Sequence, residues 1–479
     1  MSELKPKYIT TTLPYVNADP HVGFALEMVQ VDALARYWRL LGHEVFFNTG
    51  TDEHGQKVSQ KADEAGRDRQ EYTDHYAGEF NRLKEALNLS YNSFVRTTDP
   101  AHQAAAQHIW KLCEEAGDIY KKKYRGLYCV GCESFKVESD LVDGKCPEHN
   151  TAPEEIEEEN YFFKLSNYQV YLEEYLSQEG VIVPEFRRQE ALAFVKGGLE
   201  DTSISREKKR MDWGVPVPGD DEHVMYVWFD ALTNYISCLG WPKDKEGKFK
   251  KFWEENDTLQ FAGKDQVRFQ SILWQAMLKS AGLPATDQVF YHGFINSGGQ
   301  KMSKSIGNVI SPYELVEKYG TDATRYILLR HVHPTDDSDL TWEKMDEYYT
   351  ANLVNGLGNL TARILKMAET HLDGPIERPT ESPFTDEYTE AMNRYDFQAV
   401  GDFVWKKVQE LDEKITETEP FKLVKEDKEA AQKIIAELAH DLYQIGRLLY
   451  PLLPEANERI KKAVLENKKP DNLFNRLTN

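Results

Sequence analysis

Through the first half of the chain, short apolar runs alternate with amphipathic stretches. Residues 8–13, 44–49 and a run near 93–97 read as strands, and residues from about 20 to 41 carry a helical period. This alternation predicts a parallel sheet wound with helices. The rhythm breaks across 121–222, where paired cysteines, acidic clusters such as 154–159 and scattered apolar runs predict an insertion. It resumes with strand-like runs at 225–229, 259–262 and 289–292, each followed by a helical stretch, so two half-sheets are expected to join around the insertion. Beyond 311, Pro and Gly thin out and long amphipathic segments at 343–371, 387–416 and 428–453 predict a helical bundle.

With 479 residues, the chain is too long for one core, and two or three domains are expected. The pattern divides it into a first half-sheet at 1–120, an insertion at 121–222, a second half-sheet at 223–310, a linker at 311–345 and the bundle at 346–479. The expected fold class is α/β, a split Rossmann-like parallel sheet with an inserted knuckle, followed by an all-α bundle. No window approaches the roughly eighteen uninterrupted apolar residues of a membrane span. The first residues, MSELKPKYITTT, have neither secretory nor transit-peptide layout, so a cytoplasmic protein with no membrane partner is expected.

Charge changes the picture little by itself. Against 58 Lys and Arg stand 80 Asp and Glu, a net charge of −22, which repels polyanions at long range. A nucleic-acid partner would need local basic surface. The candidates are KKKYR at 121–125, REKKR at 206–210 and Lys461 with Lys462, each of which is also ordinary solvated charge.

Two segments suggest phosphate chemistry. Between the first strand and helix, Asp19 suits the N-cap and Pro20 the first helical position, so unpaired N–H groups collect beside His21 and Gly23. Far along the chain, Gly298-Gly299-Gln300-Lys301-Met302-Ser303-Lys304-Ser305 places two lysines among small residues, a loop able to fold over a triphosphate. Taken singly, either is an unremarkable helix start or surface loop. His21-Val22-Gly23-Phe24 resembles the HIGH signature, and Lys301-Met302-Ser303-Lys304-Ser305 matches the KMSKS signature, of the class I aminoacyl-tRNA synthetases. Phe24 departs from the best-known form, which has a second histidine there, so one phosphate contact fewer is expected.

Within that class the chain resembles the methionyl-tRNA synthetase family along nearly its whole length, on Leu13-Pro14-Tyr15, Gly50-Thr51-Asp52-Glu53-His54-Gly55, Tyr226-Val227-Trp228-Phe229-Asp230-Ala231 and Tyr291-His292-Gly293. The resemblance implies activation of L-methionine with ATP to methionyl-adenylate and transfer to tRNA(Met), initiator tRNA included. It implies that Leu13, Tyr15, Trp228, Ala231, Tyr235 and His292 enclose the side chain and Asp52 holds the ammonium. His21, Lys301 and Lys304 would be catalytic. ATP would meet Asn17, His21, Gly23, Gly263, Asp265, Lys301, Ser303 and Lys304, with Mg2+ accompanying it. Aromatic walls suit a polarizable thioether. By spacing alone, Trp228 and Tyr235 are more often ordinary core, and Asp52-Glu53-His54 tempts a metal assignment, although adjacent residues at a strand end do not easily converge on one ion.

Cys129-Val130-Gly131-Cys132 and Cys146-Pro147-Glu148-His149 give two ligand pairs at two-residue gaps, which suits one tetrahedral Zn2+ with no position left for a reacting water. A structural zinc knuckle at 129–149 is therefore expected. In the bundle, Asn359 and Arg363 lie one helical turn apart. The resemblance makes them anticodon contacts, and puts Phe421 where the family stacks a Trp on a base. An insertion confined to 121–222 is too short for the editing domain of the branched-chain enzymes. Another class I synthetase such as the cysteine enzyme, a tRNA-binding paralogue without activity and a small-molecule adenylyltransferase, which leaves the bundle unexplained, are the remaining alternatives. The chain ends with the bundle, so a monomer is predicted.

Overall fold

The computed structural model describes residues 4–129, 134–136, 138–147, 150–302 and 307–477. Six strands form one parallel sheet: β1 (Lys7–Thr10), β2 (Val45–Thr51), β3 (Ser93–Arg96), β4 (Ile182–Val183), β5 (Thr258–Gly263) and β6 (Gln288–His292), in the order β3-β2-β1-β5-β6-β4. The halves meet where Tyr8 pairs with Thr258 and Ile9 with Leu259. β2 and β5 are buried at every position, as a sheet covered on both faces requires. The two half-sheets expected from the sequence are therefore one sheet, extended at one edge by β4 from within the insertion.

The run at 225–229 is not a strand. Pairing stops at Met225, and Val227–Ala231 is a single helical turn with Tyr226 at its N-cap. The apolar residues there are buried in either conformation, which is why periodicity could not separate them. The helix expected from 20 spans Val22–Leu40, capped not by Asp19 but by His21, whose Nδ1 accepts the Gly23 N–H at 3.1 Å.

The chain divides into two compact units: Met1–Asp19 with His43–Arg82 and Tyr91–His292, and Pro20–Gly42 with Leu83–Ser90 and Gly293–Asn479. Within the first, the insertion carries a small antiparallel sheet of its own. Strand Ile119–Cys129 runs antiparallel to Glu154–Phe163, so the basic run at 121–125 lies opposite the acidic run, with Lys123 against Glu159 and Arg125 against Glu157. Lys121 also reaches Asp220 at 2.9 Å and Arg125 reaches Glu155 at 2.8 Å. Arg206 is buried with its guanidinium over the rings of Tyr128 and Tyr226. Much of the charge in these two basic runs is thus used within the fold.

Asp220 ties this hairpin down, accepting from Lys121 Nζ and Tyr161 Oη at 2.9 Å, with His223 Nδ1 at 3.0 Å. Burial pushes its carboxyl up, but the Lys121 hydrogen bond and the other donors outweigh it and hold it well below the usual range.

In the second unit, most of the Val22–Leu40 helix is buried, including Asp32. Asp32 accepts from Arg36 Nε at 2.7 Å and from the Ser90 hydroxyl and N–H at 2.6 Å, and pairs with fully buried Arg325 at 2.8 Å. Arg325 also donates to the carbonyls of Leu87, Pro451 and Leu452. The expected long helices are resolved into pieces: Trp342–Tyr348, a π-helical Tyr349–Gly358 and Asn359–His371 in place of one, Asp386–Asn393 and Phe397–Thr418 in place of the second, and Lys428–Leu449 as the third.

Two stability outcomes follow from these contacts. Since the Asp220 carboxyl is depressed on folding, its stabilisation is full above the ordinary carboxylate range and disappears as pH falls through it toward the folded value. Denaturant midpoints of wild type and Asp220→Asn should differ by about 1 kcal/mol at neutral pH and converge in acid; a constant difference would count against this. Arg325→Met takes from buried Asp32 one of its two guanidinium partners, Arg36 remaining, and strips three buried carbonyls of their donor; it should cost about 3 kcal/mol, read as a lowered thermal midpoint. A midpoint like that of a surface substitution would contradict this role.

Candidate functional site

In a parallel sheet, ligands collect beyond the carboxyl ends of the strands, where the connections diverge. At that edge of the first unit, the segment after β1 lies along the segment after β2: the Asp52 N–H donates to the Pro14 carbonyl at 2.9 Å and the Val16 N–H to the Asp52 carbonyl at 3.1 Å. Tyr15 and Asp52 thereby form a parallel bridge. On the other half, Gly263 and His292 are register partners at the ends of β5 and β6. Asp52 and His292 are buried, whereas Leu13, Tyr15 and Trp228 remain partly exposed. Partly exposed apolar side chains together with a buried carboxylate are the materials of a small-molecule pocket.

Trp228 stacks on Phe269 with ring centroids 4.1 Å apart and planes at 11°. Phe269 opens a π-helical stretch, Phe269–Leu273, a conformation that often accompanies functional sites. Sequence reasoning missed Phe269, because a phenylalanine in an apolar run has no distinguishing signal. Tyr235 is 2 % exposed, packed on Trp274 and with its carbonyl accepting the Tyr8 hydroxyl at 2.6 Å. Ala231 is buried beside it on the chain.

The three adjacent residues Asp52, Glu53 and His54 diverge rather than converge. Glu53 accepts from Arg96 Nε and Nη2 at 2.7 and 2.8 Å, from Thr51 Oγ1 at 2.7 Å and from Thr98 Oγ1. His54 turns toward Asp230, with Nδ1 2.6 Å from Oδ2. The Trp213 indole donates to the Glu53 carbonyl at 2.6 Å, and its own carbonyl accepts the Gly55 N–H at 3.0 Å. Such an arrangement fixes a turn and cannot chelate an ion. Among the described residues no group of three or more His, Cys, Asp or Glu could hold a metal.

Asn17 accepts the Tyr72 hydroxyl on its carbonyl at 3.4 Å, and Asp265, in the short 3-10 turn after Gly263, is exposed and accepts from Gln266 at 2.8 Å. In the second unit, a Cβ on Gly23 would stand 2.8 Å from the His21 ring, so glycine is what lets that ring fold back and cap its own helix. With Nδ1 accepting, the neutral ring carries its proton on Nε2, a donor directed by the cap. The His21 and Phe24 rings lie 4.3 Å apart.

The lysine-bearing loop grows from a hairpin, Ile295–Ser297 with Gln300–Lys301, closed by Gly298 and Gly299 at φ 64° and 73°, the left-handed pair such a turn demands. Asp339 Oδ1 accepts the Gly299 N–H at 2.7 Å and pins it. Ser303 and Lys304 lie outside the described residues, as do the expected zinc ligands Cys132 and His149. Of that ligand set, Cys129 and Cys146 are described, and both thiols are buried.

In the bundle, Asn359 lines a groove of about 600 Å3 with Asn352, Asn355, Trp405 and Asp412. Arg363 and Phe421 line a second, with Lys366, Met367 and Ile415, and Arg363 is ion-paired with Asp412. Phe421 is 47 % exposed, so it is not the core residue its apolarity would suggest.

The family model for class I tRNA synthetases (M) matches residues 7–155 and 140–365. The methionine–tRNA ligase of Caldanaerobacter subterraneus subsp. tengcongensis is 41% identical over 471 residues, 95% of this chain and 73% of that one. That of Rhizobium meliloti is 40% identical over 483 residues, 97% and 92% of the two chains. This chain belongs to the methionine–tRNA ligase family. Among solved structures, the Mycobacterium tuberculosis methionyl-tRNA synthetase in complex with methionyl-adenylate superposes with a TM-score of 0.89 at 37% identity, covering 99% of this chain and 98% of that one. No helix among the described residues is long and apolar enough to cross a membrane.

For this member of the methionine–tRNA ligase family, Glu53→Gln should lower the thermal midpoint by the equivalent of about 1–3 kcal/mol, since Arg96 loses the buried one of its two carboxylate partners and keeps only the exposed Asp74. An unchanged midpoint would mean that the Arg96 contacts do not hold the turn.

Proposed function

We propose that this protein is a methionine–tRNA ligase that activates L-methionine with ATP to methionyl-adenylate and transfers the methionyl group to the 3′ end of tRNA(Met), initiator tRNA included, in the cytoplasm. The observation that carries the reading is the likeness, over 99% of the chain, to a synthetase bound to methionyl-adenylate. The buried carboxylate and partly exposed apolar side chains at the sheet edge support it independently. Asp52 holds the substrate ammonium. Leu13, Tyr15, Trp228, Ala231, Tyr235 and His292 enclose the thioether side chain.

The methionine carboxylate attacks the α-phosphate in line, forming a carboxyl–phosphate bond as the bond to pyrophosphate breaks. The terminal ribose hydroxyl then attacks the carbonyl and AMP leaves. No protein nucleophile takes part, so the enzyme contributes positioning and charge. His21 donates from Nε2 to the α-phosphate with Gly23 close by, while Lys301, Ser303 and Lys304 take up charge on the departing pyrophosphate. Asn17, Gly263 and Asp265 serve the nucleoside side, and Mg2+ accompanies ATP. Asn359, Arg363 and Phe421 read the anticodon, Phe421 by stacking.

The donor set at the tip of the insertion suits one structural Zn2+: four soft or borderline ligands, with the Cys129 and Cys146 thiols already withdrawn from solvent. Bound there, zinc would cross-link Cys129, Cys132, Cys146 and His149 and take no part in the reaction. Domain limits at 1–120, 121–222, 223–310, 311–345 and 346–479 belong to the same proposal.

ATP–pyrophosphate exchange tests the activation step, with methionine compared against leucine, isoleucine, valine and cysteine. Exchange should be selective for methionine and be largely lost in Lys304→Ala; exchange with none of the five would sink the assignment. Elemental analysis should find one zinc per chain, absent from Cys146→Ser, and a wild-type protein purified without zinc would remove the knuckle from the proposal.

A further inference from the structure

Asp230 lies between Trp228 and Ala231 on one helical turn, but its side chain is fully buried, turned toward two histidines. Oδ2 is 2.6 Å from His54 Nδ1, and Oδ1 is 2.8 Å from His102 Nε2. The other nitrogen of His102 is 2.9 Å from Ser237 Oγ. Both histidines are themselves buried. His54 belongs to the turn that begins at Asp52, and His102 to the helix Pro100–Glu115. One carboxylate therefore joins three segments that are far apart in sequence.

Burial alone would raise the Asp230 carboxyl, but the charge of His54 and the His102 hydrogen bond outweigh it and hold the group below its ordinary value. An ionised carboxylate accepts from both rings, so the bridge consists of two charge-assisted hydrogen bonds in a water-excluded place, where such bonds are short and directional. What they orient is specific. On one side of the bridge is the turn with Asp52, and on the other the turn with Trp228 and Ala231.

We propose that Asp230 is a positioning residue for methionine, its bridge to His54 and His102 setting the separation between the ammonium anchor Asp52 and the wall formed by Trp228 and Ala231. This inference rests on the functional reading above. A fixed separation measures the substrate: the distance from ammonium to side chain must match, and an amino acid one methylene longer is rejected because neither end can move. Trp213 grips the same turn from the insertion side, through the bonds to Glu53 and Gly55 and with its ring 5.7 Å from that of His54. The Asp230 bridge reaches from that turn to the helical turn that carries the wall residues.

The test is methionine-dependent ATP–pyrophosphate exchange by the full chain, with methionine and ATP varied separately and with ethionine, one methylene longer, as competitor. Asp230→Asn keeps shape but loses the charge and one acceptor, so KM for methionine should rise on the order of ten-fold or more, the size of a lost charge-assisted hydrogen bond. KM for ATP should hold, and the preference for methionine over ethionine should shrink. A purely structural role would lower the active fraction, and with it kcat, at unchanged KM for both substrates. Should Asp230→Asn not fold, His102→Leu and His102→Gln decide: glutamine restores a donor to Oδ1 and should recover the KM that leucine loses. Wild-type KM for methionine in a folded Asp230→Asn, or equal rises for methionine and ATP, would overturn the inference and leave the enzyme assignment standing. A wild-type chain with no methionine-dependent exchange would overturn both.

Discussion

The site in the first unit depends on the pairing of β1 with β5, strands separated by about half the chain and joined at Tyr8–Thr258 and Ile9–Leu259. A parallel pair needs a crossover, and here it contains the whole insertion. Because the strands run the same way, their carboxyl ends share one edge. Leu13, Tyr15 and Asp52 leave that edge from β1 and β2, and Gly263 and His292 from β5 and β6. Without that register the residues of the two halves have no common location.

At this edge the fold manages buried charge by giving each ionic group its own partners. Asp52, Glu53 and His54 are consecutive, yet Glu53 is committed to Arg96 and two threonines and His54 to Asp230. An unpaired buried carboxylate is costly, so these commitments are strict, and they leave the turn little freedom to adjust. The insertion reaches the same turn through Trp213, and its β4 extends the catalytic sheet. It is built into the site rather than appended to it.

The second unit uses the same device with opposite emphasis. Arg325 is fully buried and its guanidinium is met by Asp32 and three backbone carbonyls, so a charged group takes the place that packing alone would fill in an ordinary helical bundle. The cap on the Val22–Leu40 helix is local by contrast: His21 closes on Gly23, and the ring's orientation follows from the absence of a Cβ.

Local pattern in the sequence determined most element types, the strand-and-helix alternation apart from β4 and the 225–229 run, the two signature segments, the paired cysteines and the helical region beyond 341. Each of these is written within a few consecutive residues, as periodicity, spacing or motif. The tertiary structure decided what depends on partners far along the chain. It made 225–229 a strand end and a helical turn, moved the cap from Asp19 to His21, matched the basic run at 121–125 to the acidic strand, and buried Tyr235 while leaving Trp228 partly exposed. It also stacked Phe269 on Trp228 and set Asp230 between two histidines, which no spacing announces. The physical reason is that an apolar or acidic side chain has no function until its neighbours fix its solvent exposure and its hydrogen-bond partners, and those neighbours arrive only when distant strands pair.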